Sequence, residues 1–207
     1  MFKTILRATC VIGSMLASAI VQAPATAQEL AAASSMTVIG AARPPVGYVQ
    51  FCRSFPRDCA VAAAAPEPVK LTRRSLRELD RVNRLLNTRI APKTDQELYG
   101  KAEHWTYPGE AGDCEDYVLA KRKLLMEAGF PRQALLITVV RDQKGDGHAV
   151  LTVVTDRGDL VLDNQRDDIL PWDRTEYRYV KRQSERDPNA WVMVGETPSS
   201  IGVATAQ

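Results

Sequence analysis

Residues 112–129, GDCEDYVLAKRKLLMEAG, set one cysteine among three carboxylates at the head of an amphipathic run. Tyr117, Val118, Lys121, Leu124, Leu125 and Ala128 recur with a helical period, and Gly129 supplies the residue that ends a helix. Cys114 therefore falls at a helix N-terminus, with Asp113 before it and Glu115 and Asp116 after it. Past Gly129 the pattern becomes that of strands. LLITVVR (135–141), HAVLTVVT (148–155) and LVLDN (160–164) are β-branched runs, the last two joined by the turn DRGD (156–159). TEYRYVKR (175–182) and WVMVG (191–195) are further candidate strands. Upstream, Leu76, Leu79, Val82, Leu85, Leu86 and Ile90 mark an earlier helix, with Ser75-x-x-Glu78 as a capping box and Pro92 as its stop. Helices first, then an antiparallel sheet, make an α+β domain.

The chain begins like an exported protein. Lys3 and Arg7, an apolar stretch from about Ala8 to Val21 and the small residues Ala25-Thr26-Ala27 form a secretory signal peptide over residues 1–27. The apolar stretch is shorter than the roughly 20 residues a bilayer-crossing helix needs, so no membrane span is expected in the mature chain. Cleavage near Ala27 removes two of the 27 basic residues and none of the 25 acidic ones, leaving the charges balanced. Balanced charge gives no electrostatic case for nucleic acid or an anionic membrane. Residues 28–45 are Ala-, Ser- and Pro-rich and are expected to lack structure; residues 46–195 form the domain, and 196–207 a frayed tail.

Cleavage also removes Cys10, leaving Cys52, Cys59 and Cys114. In an oxidising compartment Cys52 and Cys59, close together in FCRSFPRDC, are the natural pair, and closing so small a loop contributes about 2–3 kcal/mol. Cys114 is left over.

Two histidines occur, His104 and His148. His104 sits before Trp105 in a loop and reads as a surface or structural residue. His148 opens a strand after KGDG (144–147), and Asp163 lies on the strand after the following turn. If Thr155 pairs with Leu160 across DRGD, Asp163 faces Thr152, and that register alone does not join it to His148. The three residue types still suit nucleophilic catalysis. A thiol attacks as thiolate, an imidazole takes its proton and later returns it, and a carboxylate fixes the tautomer. On the residues alone, other readings stay open. Cys114 can be a small buried hydrophobe, Asp113 an ordinary helix N-cap and Asp163 the start of a turn. A zinc site lacks the usual Cys-x-x-Cys or His-x-x-x-His spacing.

HWTYPGE (104–110), GDCEDYVLAKRKLL (112–125) and GHAVLTVVTDRGDLVLDN (147–164), in that order, resemble the bacterial transglutaminase-like cysteine protease family, over roughly Cys52 to Trp191. The resemblance implies a papain-like, transglutaminase-like fold with the nucleophile at a helix N-terminus packed on an antiparallel sheet. It implies Cys114 as nucleophile, His148 as general base and acid, and Asp163 as orienter. It further implies a periplasmic cysteine endopeptidase with a protein substrate, in one branch a surface adhesin clipped in biofilm control. That branch depends on calcium held by acids flanking the nucleophile, here Asp113 and Glu115. Calcium there would cancel the repulsion three carboxylates exert on a thiolate. Two rivals use the same residues: an amidase or transglutaminase passing the acyl group to an amine, and a calcium-dependent binding module with an idle trio. An inhibitory membrane receptor is kept as a further candidate partner.

Overall fold

The computed structural model describes residues 34–61 and 63–195, so the expected signal peptide and the tail from 196 lie outside the described residues. The chain opens with strand β1 (Thr37–Ala42), helix α1 (Val46–Ser54) and a 3-10 turn (Pro56–Cys59). Helix α2 (Arg73–Arg89), strand β2 (Ala91–Pro92), helix α3 (Asp95–Tyr99) and strand β3 (Ala111–Gly112) lead to helix α4 (Cys114–Glu127). Six strands follow: β4 (Leu135–Arg141), β5 (Gly147–Thr155), β6 (Gly158–Leu162), β7 (Leu170–Pro171), β8 (Arg178–Gln183) and β9 (Trp191–Gly195).

Helix α2 starts earlier than Ser75-x-x-Glu78 predicts. Its cap is Thr72, whose hydroxyl accepts the Ser75 N–H at 3.1 Å while the Ser75 hydroxyl accepts the Thr72 N–H at 2.8 Å. The reason lies just upstream. Val69 is bridged to the end of β5, and the Leu71 N–H donates to Asp156 Oδ1 at 2.8 Å. The chain is thus free to coil only from Thr72, and Glu78 pairs with Arg81 instead. At the other end α2 stops before Pro92, as expected, because Ala91 and Pro92 pair in parallel with Ala111 and Gly112. That short ladder fixes the backbone immediately ahead of Cys114.

The large sheet has the order β1-β9-β8-β4-β5-β6-β7. β4, β5 and β6 form the expected meander; β8 then crosses back to pair with the free side of β4. β1 corrects the expectation for residues 28–45. Thr37, Val38, Gly40, Ala41 and Ala42 pair with β9, with an irregularity at Ile39, and next to the strand Met36 is buried with its N–H on Asp159 Oδ2 at 2.9 Å. Small and polar neighbours dilute that strand in any composition window, and only the distant ladder partner reveals it.

The β5–β6 turn is also a correction. Thr155 pairs with Gly158, not Leu160, so the turn contains only Asp156 and Arg157. Gly158 adopts φ +109°, a conformation side chains disfavour. The register slides by two residues. Continued one step past Leu151↔Leu162, it sets Asp163 opposite Val150, on the same face as His148 two positions away. Such diagonal neighbours stand about 7–8 Å apart and can touch through long side chains.

Helix α4 lies on β5 and β4, with α2 against it. Leu79, Val82, Leu119, Leu125, Ile137, Leu151 and Leu162 fill the core between them. A disulfide joins Cys52 and Cys59, with Cα atoms 5.6 Å apart, leaving Cys114 as the free cysteine among the described residues. Among those residues no helix is long and apolar enough to cross a membrane.

Candidate active site

The shortened turn has a direct consequence at the end of β5. His148 Nε2 and Asp163 Oδ1 lie 2.9 Å apart, and both side chains are buried. The same Oδ1 accepts the Gln165 N–H at 3.0 Å, and Oδ2 accepts the Tyr177 hydroxyl. Burial by itself would raise the pKa of Asp163. The bond to His148 and its charge, then the Gln165 N–H and the Tyr177 hydroxyl, outweigh burial and hold the carboxyl below its ordinary value. An ionised Asp163 accepts the hydrogen on Nε2, which leaves Nδ1 as the ring atom able to receive a proton. Helix α2 braces this corner: Asn87 Nδ2 donates to the Asp163 carbonyl at 3.0 Å, and Asn83 Nδ2 to the Asp167 carbonyl at 3.0 Å.

Cys114 is the first residue of α4 and half-buried rather than sealed in the core. Helix α4 packs on β5, and the backbone N–H of Ala149, the residue after His148, favours the thiolate, so the thiol stands near the strand that carries the imidazole. The thiol hydrogen points elsewhere, to Glu115 Oε2 at 3.1 Å. Burial, then the Glu115 charge and this bond, push the thiol well above its usual pKa. The structure thus joins His148 to Asp163 directly and brings Cys114 near the strand that carries His148, with its S–H donated to Glu115 rather than to the ring.

Beside the thiol lies a group of acids. One carboxylate oxygen from each of Asp95, Asp113 and Asp116 falls within 4.8 Å of the others. Each carboxylate is half satisfied. Asp95 Oδ2 takes the His104 N–H, Asp113 Oδ2 the Asp95 N–H at 3.2 Å, and Asp116 Oδ1 the Thr106 N–H at 2.9 Å. The second oxygens, Asp95 Oδ1, Asp113 Oδ1 and Asp116 Oδ2, are buried with no hydrogen-bond partner. None of these residues forms an ion pair with Lys, Arg or His among the described residues. Burial pushes Asp116 up to about 7, and burial followed by the Asp113 charge pushes Glu115 up to about 8. Three neighbouring carboxylates, each with one buried oxygen left without a partner and with no compensating cation, are the donor set a hard divalent ion takes. Gly112 is required here: a Cβ on it would stand 2.8 Å from Asp116 Oδ2.

Of the two ligands implied by resemblance, Asp113 is in this group, while Glu115 borders Asp113 and faces the thiol. The sequence reading missed Asp95. Its signal was the Thr94-x-x-Glu97 capping box that places Asp95 in the first turn of α3. It also left Asp116 among the acids near the thiol without a ligand role. Tyr177 left no local signal at all. His104, read as surface or structural, uses its backbone N–H on Asp95 and packs its ring 4.6 Å from Tyr99.

A helix headed by a free thiol and laid on an antiparallel sheet is the architecture of the transglutaminase-like cysteine peptidases. The chain belongs to the bacterial transglutaminase-like cysteine proteinase family BTLCP, whose model matches residues 38–199. A comparison with curated proteins gives no match. Among solved structures, calcium-bound LapG of Legionella pneumophila aligns with a TM-score of 0.50 at 26% identity, over 64% of this chain and 77% of that one. LapG of the same organism gives 0.46 at 27% identity over 55% and 65%. Its EGTA-treated form gives 0.48 at 25% over 63% and 72%.

Proposed function

We propose that the protein is an exported, periplasmic cysteine endopeptidase in which Cys114, His148 and Asp163 act as nucleophile, base and orienter. The observation that carries this reading is the 2.9 Å contact between His148 Nε2 and Asp163, which supports a ring that donates from Nε2 and receives a proton at Nδ1. The Cys114 proton moves to Nδ1, and the thiolate adds to the peptide carbonyl. The backbone N–H of Cys114 at the head of α4 donates to the developing oxyanion. His148 then protonates the departing amine, and the acyl-enzyme is hydrolysed by water that His148 deprotonates. A cell-surface adhesin is the substrate class this reading favours, and an inhibitory membrane receptor is a natural regulator.

The reading includes calcium. Asp95, Asp113 and Asp116 would hold the ion, with Glu115 as the bordering carboxylate, and calcium-bound LapG is a precedent among relatives. A bound cation there supplies positive charge that favours the thiolate over the thiol. The ion should also stabilise the fold by about 1.4 kcal/mol at ten times its Kd, raising the melting temperature by about 3–6 °C. Differential scanning fluorimetry with calcium and with chelator measures this. Asp116→Asn, which keeps an oxygen for the Thr106 N–H, should erase the shift; an undiminished shift would place the ion elsewhere.

The thiol chemistry is tested by the rate at which iodoacetamide alkylates Cys114. With calcium the rate should exceed that of free cysteine at neutral pH, and chelator should slow it. Rates at or below free cysteine under both conditions would refute the nucleophile assignment. A fluorescent amine added with a cleavable protein separates hydrolysis from acyl transfer, since transfer alone labels the product.

A further inference from the structure

We propose that Tyr177 is a positioning residue that locks Asp163, and through it the tautomer of His148; the proposal rests on the reading of these two as the catalytic pair. Asp163 Oδ1 already serves two donors, the His148 ring and the Gln165 N–H. A carboxylate held at one oxygen can still rotate and exchange its oxygens. The Tyr177 hydroxyl donates to the second oxygen and removes that freedom. Few groups could replace it, because the carboxylate is buried and its other contacts are spent.

Sheet topology explains why Tyr177 is in place. On β4, Val140 pairs with His148 on one side and with Tyr179 on the other, so these three residues form a row across one face. Tyr177 precedes Tyr179 by two residues, and its ring lies tilted 5.5 Å from the His148 ring. The tyrosine thus neighbours both members of the pair, the imidazole through its tilted ring and the carboxylate through its hydroxyl. Burial, then the bond to Asp163, raise its pKa, so it remains a donor throughout the neutral range. The His148 ring faces Asp163 and Tyr177, and Asp163 is further approached by Lys121 of α4.

Tyr177→Phe keeps the ring and deletes only the donor. In the full mature protein with calcium, iodoacetamide alkylation of Cys114 should slow about tenfold. The melting temperature should change little. The tautomer gives a second reading that does not depend on reactivity. With only His104 and His148 in the chain, imidazole ¹⁵N resonances are assigned by a His104→Gln variant. The wild type should show His148 protonated at Nε2, and Tyr177→Phe should shift it towards a mixture of tautomers. Wild-type alkylation with unchanged imidazole resonances would overturn the proposal and leave Tyr177 a packing residue. If His148→Ala also alkylated at the wild-type rate, the catalytic reading itself would fail; if only Tyr177→Phe did, the failure would be confined to Tyr177.

Discussion

Cys114→Ser should abolish peptide hydrolysis, lowering kcat/KM by about 10⁴-fold or more, with the fold intact. The hydroxyl occupies nearly the same volume and can still donate to Glu115, so little packing is lost at the head of α4. What disappears is the acidity of sulfur. A serine hydroxyl beside Asp113 and Glu115 meets the same acidic neighbours with a far higher intrinsic pKa, so the proton transfer to His148 that the thiol permits becomes strongly uphill. Asp163→Asn should act on the other side of the same step, lowering kcat/KM by about 10³–10⁴-fold. An amide at this position can turn its NH₂ towards Nε2, which then has to accept, placing the ring hydrogen on Nδ1 where it blocks transfer from the thiol. Both variants are assayed on a proteome-derived peptide pool by mass spectrometry, with circular dichroism as the fold control. A serine variant that kept a tenth of the activity would remove Cys114 from the mechanism.

What the sequence discloses depends on whether the information is local. The α4 period, the runs that become β4, β5, β8 and β9, and the Cys52–Cys59 bridge across seven residues are all short-range features, and each is present as expected. The hairpin register was not legible, because DRGD can be spanned by a two- or a four-residue turn. The choice is made by Gly158 at positive φ and by the Thr155 hydroxyl, which donates to the Gly158 carbonyl at 2.6 Å. That choice is what brings Asp163 to His148. The acid cluster was legible only around Cys114, since Asp95 joins from 18 residues before Asp113 through the folding of α3 against the β3–α4 junction. Tyr177 depends on β8 crossing back onto β4, a decision of topology that no nearby residue announces.

Lys121 leads to the second large effect, and this one concerns stability. Its spacing put it on the apolar side of α4, and it is indeed fully buried, with Nζ lacking a hydrogen-bond partner and 5.8 Å from the Tyr117 ring centroid. Burial pushes its pKa down to about 7, against the opposing pull of Asp163 and Asp167. In the unfolded chain the amine stays protonated to about 10.4, so between pH 7 and pH 9 the unfolded state binds more protons than the folded one. Its contribution to unfolding free energy therefore rises with pH across that window, by about 2 kcal/mol, and falls again as pH drops through 7. Lys121→Met keeps most of the side-chain volume and removes the charge. The variant should be more stable than the wild type at pH 7, and the gap should narrow by about 2 kcal/mol at pH 9. Taking the difference between the two proteins at each pH cancels the titration of every other group, including the cluster of acids. Urea titrations at pH 7, 8 and 9 in saturating calcium measure the gap, and one that stayed constant with pH would mean that Lys121 keeps its proton in the folded protein. In that event the ammonium would be a permanent cation near Asp163, and Lys121→Met should instead cost activity.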